Sequence, residues 1–317
     1  MKAVFYETYG DRTVMQLGDR PTPTANAHEV LVRVQAASIN PVDGKVRRGE
    51  LKLIAGGHFP KQPGLDFAGE VVGVGDGVTE VRVGDAVFGC AKSMSEGALA
   101  EVAVANVGSI AKRPQGLDVL TAAAVPVVAM GALQPLRDIV KVAPGDSVLV
   151  NGCTGGVGLF ALQLARRAGA HVTGVCGTEG LGLSHEMGAE EVIDFHTSSA
   201  LARGGRYRAI LELSGRLAFG DAHPILDEHG LFVDFSPTPA SLIGNTLANP
   251  FRTHKHVFAM TSAKTADLDE VAQLLVRGEL KAPPVREYAL DQFQDAFALA
   301  ESGKVMGKVV VRVASSP

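Results

Sequence analysis

Short apolar runs at residues 30–35, 69–75 and 85–89 are set apart by glycine and aspartate. Each run has strand character, and Gly75-Asp76-Gly77 and Gly84-Asp85 read as turns. Few helical periodicities interrupt the first 120 residues, which predicts a compact, partly closed β-domain. The texture changes near Leu120. Residues 121–140 are alanine-rich and helical in pattern, with Pro126 and Pro135 starting or bending helices there. A buried-strand pattern at 147–151 leads to a helix over 157–168, with Val157, Phe160, Ala161, Leu164 and Ala165 on its apolar face. Further strands are predicted at 171–176, 191–195, 208–213 and 231–235, and a helix at 183–187. Strands alternating with helices imply a parallel sheet covered on both faces. Beyond Met260 come helices at 267–277 and 290–302 and a closing strand at 308–313. A β-rich start and a final strand flank an α/β middle. The two ends are therefore expected to fold together, as 1–122 with 262–317, around a middle domain of 123–261.

The strand at 147–151 and the helix after Val157 enclose Gly152-Cys153-Thr154-Gly155-Gly156-Val157-Gly158. A lone glycine pattern is weak, but here it sits in strand–loop–helix–strand context. Glycines permit a tight turn and let the backbone approach a pyrophosphate, while the helix N-terminus offers free N–H groups. Thr154, Gly155, Gly156 and Val157 are the expected contacts, and the middle domain reads as a doubly wound, Rossmann-type dinucleotide fold. Ligands bind such folds at the carboxyl ends of the strands. That adds Cys176, Gly177 and Thr178 after the second strand, Ser214 after the fourth, and Phe235 and Ser236 after the fifth. No carboxylate stands at the tip of the second strand to bond a ribose 2′-hydroxyl. The expectation is therefore NADP (NADPH), with NAD possible.

Composition narrows the class. The 317 residues are 46% hydrophobic and 20% charged with net charge −4, enough for two cores and without a basic face for nucleic acid. Three scattered cysteines, Cys90, Cys153 and Cys176, argue for reduced thiols rather than a disulfide framework or a four-thiolate zinc site. The pair His254 and His256 reads as a surface loop. No signal peptide or apolar span is seen, so no membrane association is expected and a cytoplasmic location follows by default.

The chain resembles the zinc-independent quinone oxidoreductases, the zeta-crystallin-like group of the medium-chain dehydrogenase/reductase superfamily. The likeness is carried by the opening Met1-Lys2-Ala3-Val4, by residues 37–43 with Arg48-Gly49, and by residues 63–72 and 83–89. The glycine loop, residues 188–194 and the closing segment from Gly307 extend it over essentially the whole chain. It implies a GroES-like β-rich catalytic domain made from both chain ends, an inserted Rossmann domain, an active site in the cleft between them, and a homodimer. It implies a small-molecule acceptor, a quinone or an α,β-unsaturated carbonyl.

Zinc-containing relatives place a Cys near Asn40 and Gly-His-Glu where this chain has Gly64-Leu65-Asp66. Too few ligands remain for a catalytic zinc, so no metal is expected. Asn40 then becomes the expected catalytic residue, its neutral amide stabilising charge that grows on the substrate oxygen; the alternative is a loop residue fixing the turn before Pro41. Asp43 is expected either to support that loop or to touch cofactor, and Lys308 either to approach cofactor or to be an ordinary solvated lysine. Phe258 and Met260 match the stretch lining the nicotinamide. Three departures stand out: Met130-Gly131 replaces a hydroxyl-bearing Leu-Thr, Gly180-Leu181-Gly182 lacks the Lys or Arg of NADP-binding relatives, and Phe195 replaces a phosphate-binding Tyr. The first motivates a second reading, a non-catalytic NAD(P)H-binding sensor or partner-binding protein.

Overall fold

The computed structural model describes residues 1–236, 244–245 and 247–313. The chain divides into two compact units, Met1–Val127 with Ser262–Pro317, and Val128–Thr261.

The first unit opens with an antiparallel pair, β1 (Lys2–Tyr6) and β2 (Met15–Asp19). The long β3 (Glu29–Ile39) runs straight into α1 (Pro41–Arg47), where Pro41 occupies the first helical position and loses no hydrogen bond by lacking an N–H. A short α2 (Lys52–Ala55) precedes β4 (Asp66–Val74) and β5 (Ala86–Cys90), which continue the sheet antiparallel to β3. β6 (Val102–Asn106) pairs with the first half of β3, and β7 (Ile110–Lys112) with β5. α3 (Val119–Ala124) packs on β3 and β4, so the unit extends to Val127 rather than ending at 122. Val30, Val32, Val34, Phe67, Val71 and Val87 are fully buried, each worth about 1.5–3 kcal/mol relative to exposure.

The second unit begins within α4 (Pro126–Gln134), which passes into a π-helical turn, Pro135–Val140. Pro135 cannot donate to the α-helical ladder, and a π turn is one way to absorb that loss. Next come β8 (Ser147–Asn151), α5 (Gly156–Arg167), β9 (His171–Cys176), α6 (Leu181–Glu186) and β10 (Glu191–Asp194). β11 (Tyr207–Glu212), α7 (Phe219–Ala222), β12 (Leu226–Asp234) and β13 (Lys255–Phe258) complete it. The six strands are parallel, in the order β10-β9-β8-β11-β12-β13. This is the doubly wound order, whose direction of winding reverses beside β8. β13 corrects the expected surface loop at His254 and His256. Lys255, His256, Val257 and Phe258 pair with Leu231, Phe232, Val233 and Asp234, and His256 Nε2 lies 3.1 Å from Asp234 Oδ2.

The returning chain adds α8 (Thr265–Val276), β14 (Val285–Ala289), α9 (Phe293–Ala300) and β15 (Lys308–Arg312) to the first unit. β15 lies antiparallel to β3, with Val309 opposite Ile39, and β14 runs parallel to β15. This pairing joins the two chain ends and sets Lys308 beside the β3–α1 corner. Among the described residues no helix is long and apolar enough to cross a membrane.

Candidate functional site

Two constellations emerge, one in each unit. In the second, β8 delivers the chain to the reversal point of the sheet. Gly152 turns it with φ +90°, a left-handed conformation that favours glycine. Gly152 N and Cys153 N donate to Val175 O at 3.0 and 3.1 Å, pinning the loop to β9. α5 then starts from Gly155, and Leu159 N donates back to Gly155 O. The preceding N–H groups of such a helix lack intrahelical acceptors and face the loop. Gly158 has a separate role: a Cβ there would lie 2.6 Å from Cys153 C and Cα. Thr154, Gly155, Gly156 and Val157 are half-buried around this turn, in the position of a phosphate cradle.

The neighbouring strand tips are more polar than their apolar patterns announce. Glu212 is buried at the end of β11. One of its oxygens accepts from Asn151 Nδ2 at 2.5 Å; the other accepts from Ser214 N and Oγ at 2.9 and 2.7 Å. Ser214 is thereby held in place, and Asn151 and Glu212, which sequence reasoning missed, form the floor of the reversal point. Their one visible signal was a polar residue ending each of two buried strands. Phe235 is half-buried and Ser236 exposed. Phe258 is half-buried at the end of β13, and Met260 is 71% exposed. Pro237 and residues 238–243 lie outside the described residues.

The tip of β9 corrects one expectation. A carboxylate does stand there, brought from β10: Asp194 Oδ2 accepts from Thr178 Oγ1 at 2.5 Å, and Asp194 Oδ1 from His196 N at 2.9 Å. Those bonds hold the Asp194 carboxyl below its ordinary pKa. A guanidinium and an imidazole stand at the same tip. The Arg216 guanidinium lies 5.4 Å from the Phe195 ring centroid, and a Cβ on Gly177 would be 3.4 Å from both His196 Nε2 and Phe195. Cys176 is buried with its thiol turned inward to Ser184 Oγ, 3.5 Å away, so only its backbone faces a ligand at the tip. Gly131 packs beside the loop itself: a Cβ there would lie 3.1 Å from Val157 Cγ2 and 3.9 Å from Phe235.

In the first unit, Asn40, Asp43, Asp66, Cys90 and Lys308 converge in a buried network. Asn40 caps α1 by position, yet its side chain leaves the helix. Asn40 Nδ2 donates to Asp66 Oδ2 at 2.8 Å, and Asn40 Oδ1 accepts from Lys308 Nζ at 2.6 Å. Lys308 Nζ also donates to Ile39 O at 3.1 Å and lies 3.7 Å from Asp66 Oδ2. Asp66 accepts further bonds from Ser38 Oγ, Val127 N and Cys90 Sγ. Asp43 clamps the backbone, with one oxygen on Asn40 N at 2.7 Å and the other on Gly64 N at 2.8 Å.

Burial governs the charges here. It raises the Asp43 carboxyl to about 6, with Asp66 adding to the rise. It lowers the Lys308 ammonium against the opposing pull of the two carboxylates. The Cys90 thiol is pushed well above its usual range by burial and by Asp66. Lys308 is thus no solvated lysine, being 4% exposed. Asn40 is 2% exposed with both amide atoms engaged, which leaves one of its two N–H bonds uncommitted. Among the described residues, no three His, Cys, Asp or Glu side chains are grouped to hold a metal ion.

Two family models match the chain, the alcohol dehydrogenase GroES-like domain over residues 26–115 and the zinc-binding dehydrogenase over residues 187–311. The chloroplast envelope quinone oxidoreductase homolog of Arabidopsis thaliana is 32% identical over 98% of each chain. A solved quinone oxidoreductase from Coxiella burnetii is 29% identical over 99% of each chain, with a TM-score of 0.88. The Escherichia coli quinone oxidoreductase complexed with NADPH, 22% identical with a TM-score of 0.83, covers 99% of this chain and 100% of its own and shares the fold.

Proposed function

From the premise that the chain belongs to the quinone oxidoreductase family of the medium-chain dehydrogenase/reductase superfamily, we propose a zinc-independent, NADPH-dependent reductase of quinones or α,β-unsaturated carbonyls. The superfamily makes it an oxidoreductase; the cofactor, acceptor and metal requirement are the further reading. The observation that carries it is the glycine loop at the reversal point of the sheet, with Arg216 and His196 at the tip of the adjacent strand. A dinucleotide's pyrophosphate fits the N–H groups before Leu159, and a 2′-phosphate fits the Arg216 guanidinium with the His196 ring beside it. Bound there, the nicotinamide supplies hydride. Asn40 is the donor assigned to the developing oxyanion, through its uncommitted N–H.

Zinc independence rests on the donor set. Asn40 and Leu65 are not zinc ligands of the usual kind, and the carboxylates of Asp43 and Asp66 are occupied by N–H, O–H and S–H donors and by the Lys308 ammonium. A homodimer belongs to the same reading, because among the described residues β13 is a sheet edge with one neighbour, β12. Asp194 favours a second reading for the cofactor alone: a carboxylate at the strand tip suits the 2′-hydroxyl of NADH.

Side-by-side titration of NADPH and NADH, with turnover on a benzoquinone and an enone with and without EDTA, tests the proposal. Tighter NADPH binding and chelator-resistant, acceptor-dependent NADPH oxidation are expected. Tighter NADH binding overturns the cofactor choice, and loss of activity in EDTA overturns zinc independence. Binding without turnover on any acceptor returns the protein to a sensor role.

A further inference from the structure

Two of the three cysteines meet inside the dinucleotide-binding unit. Cys153 belongs to the glycine loop and Cys176 ends β9; both are buried. Their sulfurs converge on one hydroxyl, Ser184 Oγ, at 3.1 and 3.5 Å. That hydroxyl also donates to Gly180 O at 2.9 Å, so its single proton cannot serve all three neighbours. Two glycines keep the space open. A Cβ at Gly174 would stand 2.8 Å from Cys153 Sγ, and one at Gly180 would stand 3.1 Å from Cys176 Sγ. The backbone is already joined here, since Cys153 N donates to Val175 O, next to Cys176. Only Gly177 separates Cys176 from the exposed Thr178 and Glu179, so the pair lies just beneath the surface of the strand tip.

We propose that Cys153 and Cys176 are a dithiol modification site. Peroxide oxidises them to an intramolecular disulfide that weakens dinucleotide binding. The inference rests on the reading of the glycine loop as a dinucleotide site.

The chemistry starts at Cys176, which lies one glycine from the exposed strand tip and whose thiol is lowered by the neighbouring Cys153 thiol. Its sulfur attacks one peroxide oxygen, the O–O bond breaks, and the other oxygen leaves as water with a proton. Cys153 sulfur then displaces hydroxide from the sulfenic acid, and its own proton completes a second water. Two S–H bonds and one O–O bond are lost, one S–S bond is formed, and the thiols' two electrons reduce peroxide. The new bond draws the loop residue toward β9 and releases both sulfurs from Ser184. It changes the loop that has to approach the pyrophosphate closely. By linkage, bound NADPH must oppose the oxidation to the same degree.

The test treats the full chain with hydrogen peroxide, with and without NADPH. Free thiols are titrated, the cross-link is mapped by non-reducing peptide mass spectrometry, and NADPH affinity is measured before and after treatment and again after dithiothreitol. Titratable thiols should fall from three to one, leaving Cys90. A Cys153–Cys176 peptide should appear, and NADPH affinity should drop at least about fivefold, the low end of ordinary coupling between linked sites, then recover on reduction. NADPH should slow the loss of thiols. Cys153→Ser and Cys176→Ser, each compared with its own untreated state, should lose the response to peroxide. Three surviving thiols, a different cross-link, or a Cys153–Cys176 link with unchanged affinity overturns the proposal. If the untreated chain binds neither NADPH nor NADH, the dinucleotide reading fails instead, and peptide mapping still decides whether the disulfide forms.

Discussion

Lys308 Nζ donates to Asn40 Oδ1 at 2.6 Å across the β15–β3 pairing, and both side chains are buried. The contact fixes which way the Asn40 amide faces, because its oxygen meets the ammonium and its nitrogen meets Asp66. Lys308 is also the cation nearest two buried carboxylates. Lys308→Met should therefore destabilise the protein by about 3–5 kcal/mol, the usual cost of stranding one partner of a buried ion pair. Urea denaturation monitored by circular dichroism measures it. A loss below about 1 kcal/mol, the range of an exposed pair, would show that the network does not need its cation.

Asn40→Ala separates chemistry from scaffolding. If the amide stabilises the oxyanion, kcat with a quinone should fall by about 100- to 1000-fold while NADPH affinity holds, as when an oxyanion-hole donor is removed. Unchanged kcat per folded molecule alongside a lowered melting temperature would make Asn40 a loop support.

Asp43 makes stability depend on pH with a definite sign. Burial raises its folded pKa to about 6 from 3.8, so between those values the folded state binds the proton that the unfolded state releases. The stability linked to that proton is fully present below pH 3.8 and is lost as pH rises through 6. The melting temperature of wild type relative to Asp43→Asn should therefore decline from pH 4.5 to 7. A flat or rising difference contradicts the assignment.

Gly158→Ala should abolish dinucleotide binding. Its Cβ would meet the Cys153 backbone at 2.6 Å, and backbone cannot swing aside as a flexible side chain can. Calorimetric titration of NADPH checks this; wild-type affinity would mean that α5 and the loop separate without consequence.

Arg216→Ala tests the cofactor choice. NADPH affinity should weaken by roughly tenfold, the equivalent of one modest charge-assisted hydrogen bond, with NADH affinity unchanged. Equal losses for both nucleotides would assign Arg216 to the adenine or to the fold rather than to the 2′-phosphate.

Strands β8 and β9 and the glycine loop could be read from the chain because their signals are local: an apolar run, a turn that needs glycine, a helical period. β1, β2, β6, β7, β13 and β14 were not legible. β14, Val-Arg-Glu-Tyr-Ala, has two exposed charged residues at its centre and becomes a strand through pairing with β15. Residues 255–258 become one by pairing with β12. Asp194 was missed at the β9 tip for the same reason, since it arrives from another strand.

By itself the sequence determined the division into a doubly wound middle and a β-rich domain built from both ends, and the position of the glycine loop. Those follow from periodicity and from conformations that only glycine adopts readily. Tertiary structure alone decided the company each polar group keeps. It placed Lys308 on Asn40 from 268 residues away, Asp194 on Thr178, and Cys153 beside Cys176. Hydrogen bonds and buried charges act over a few ångströms of space, and separation along the chain carries no record of that distance.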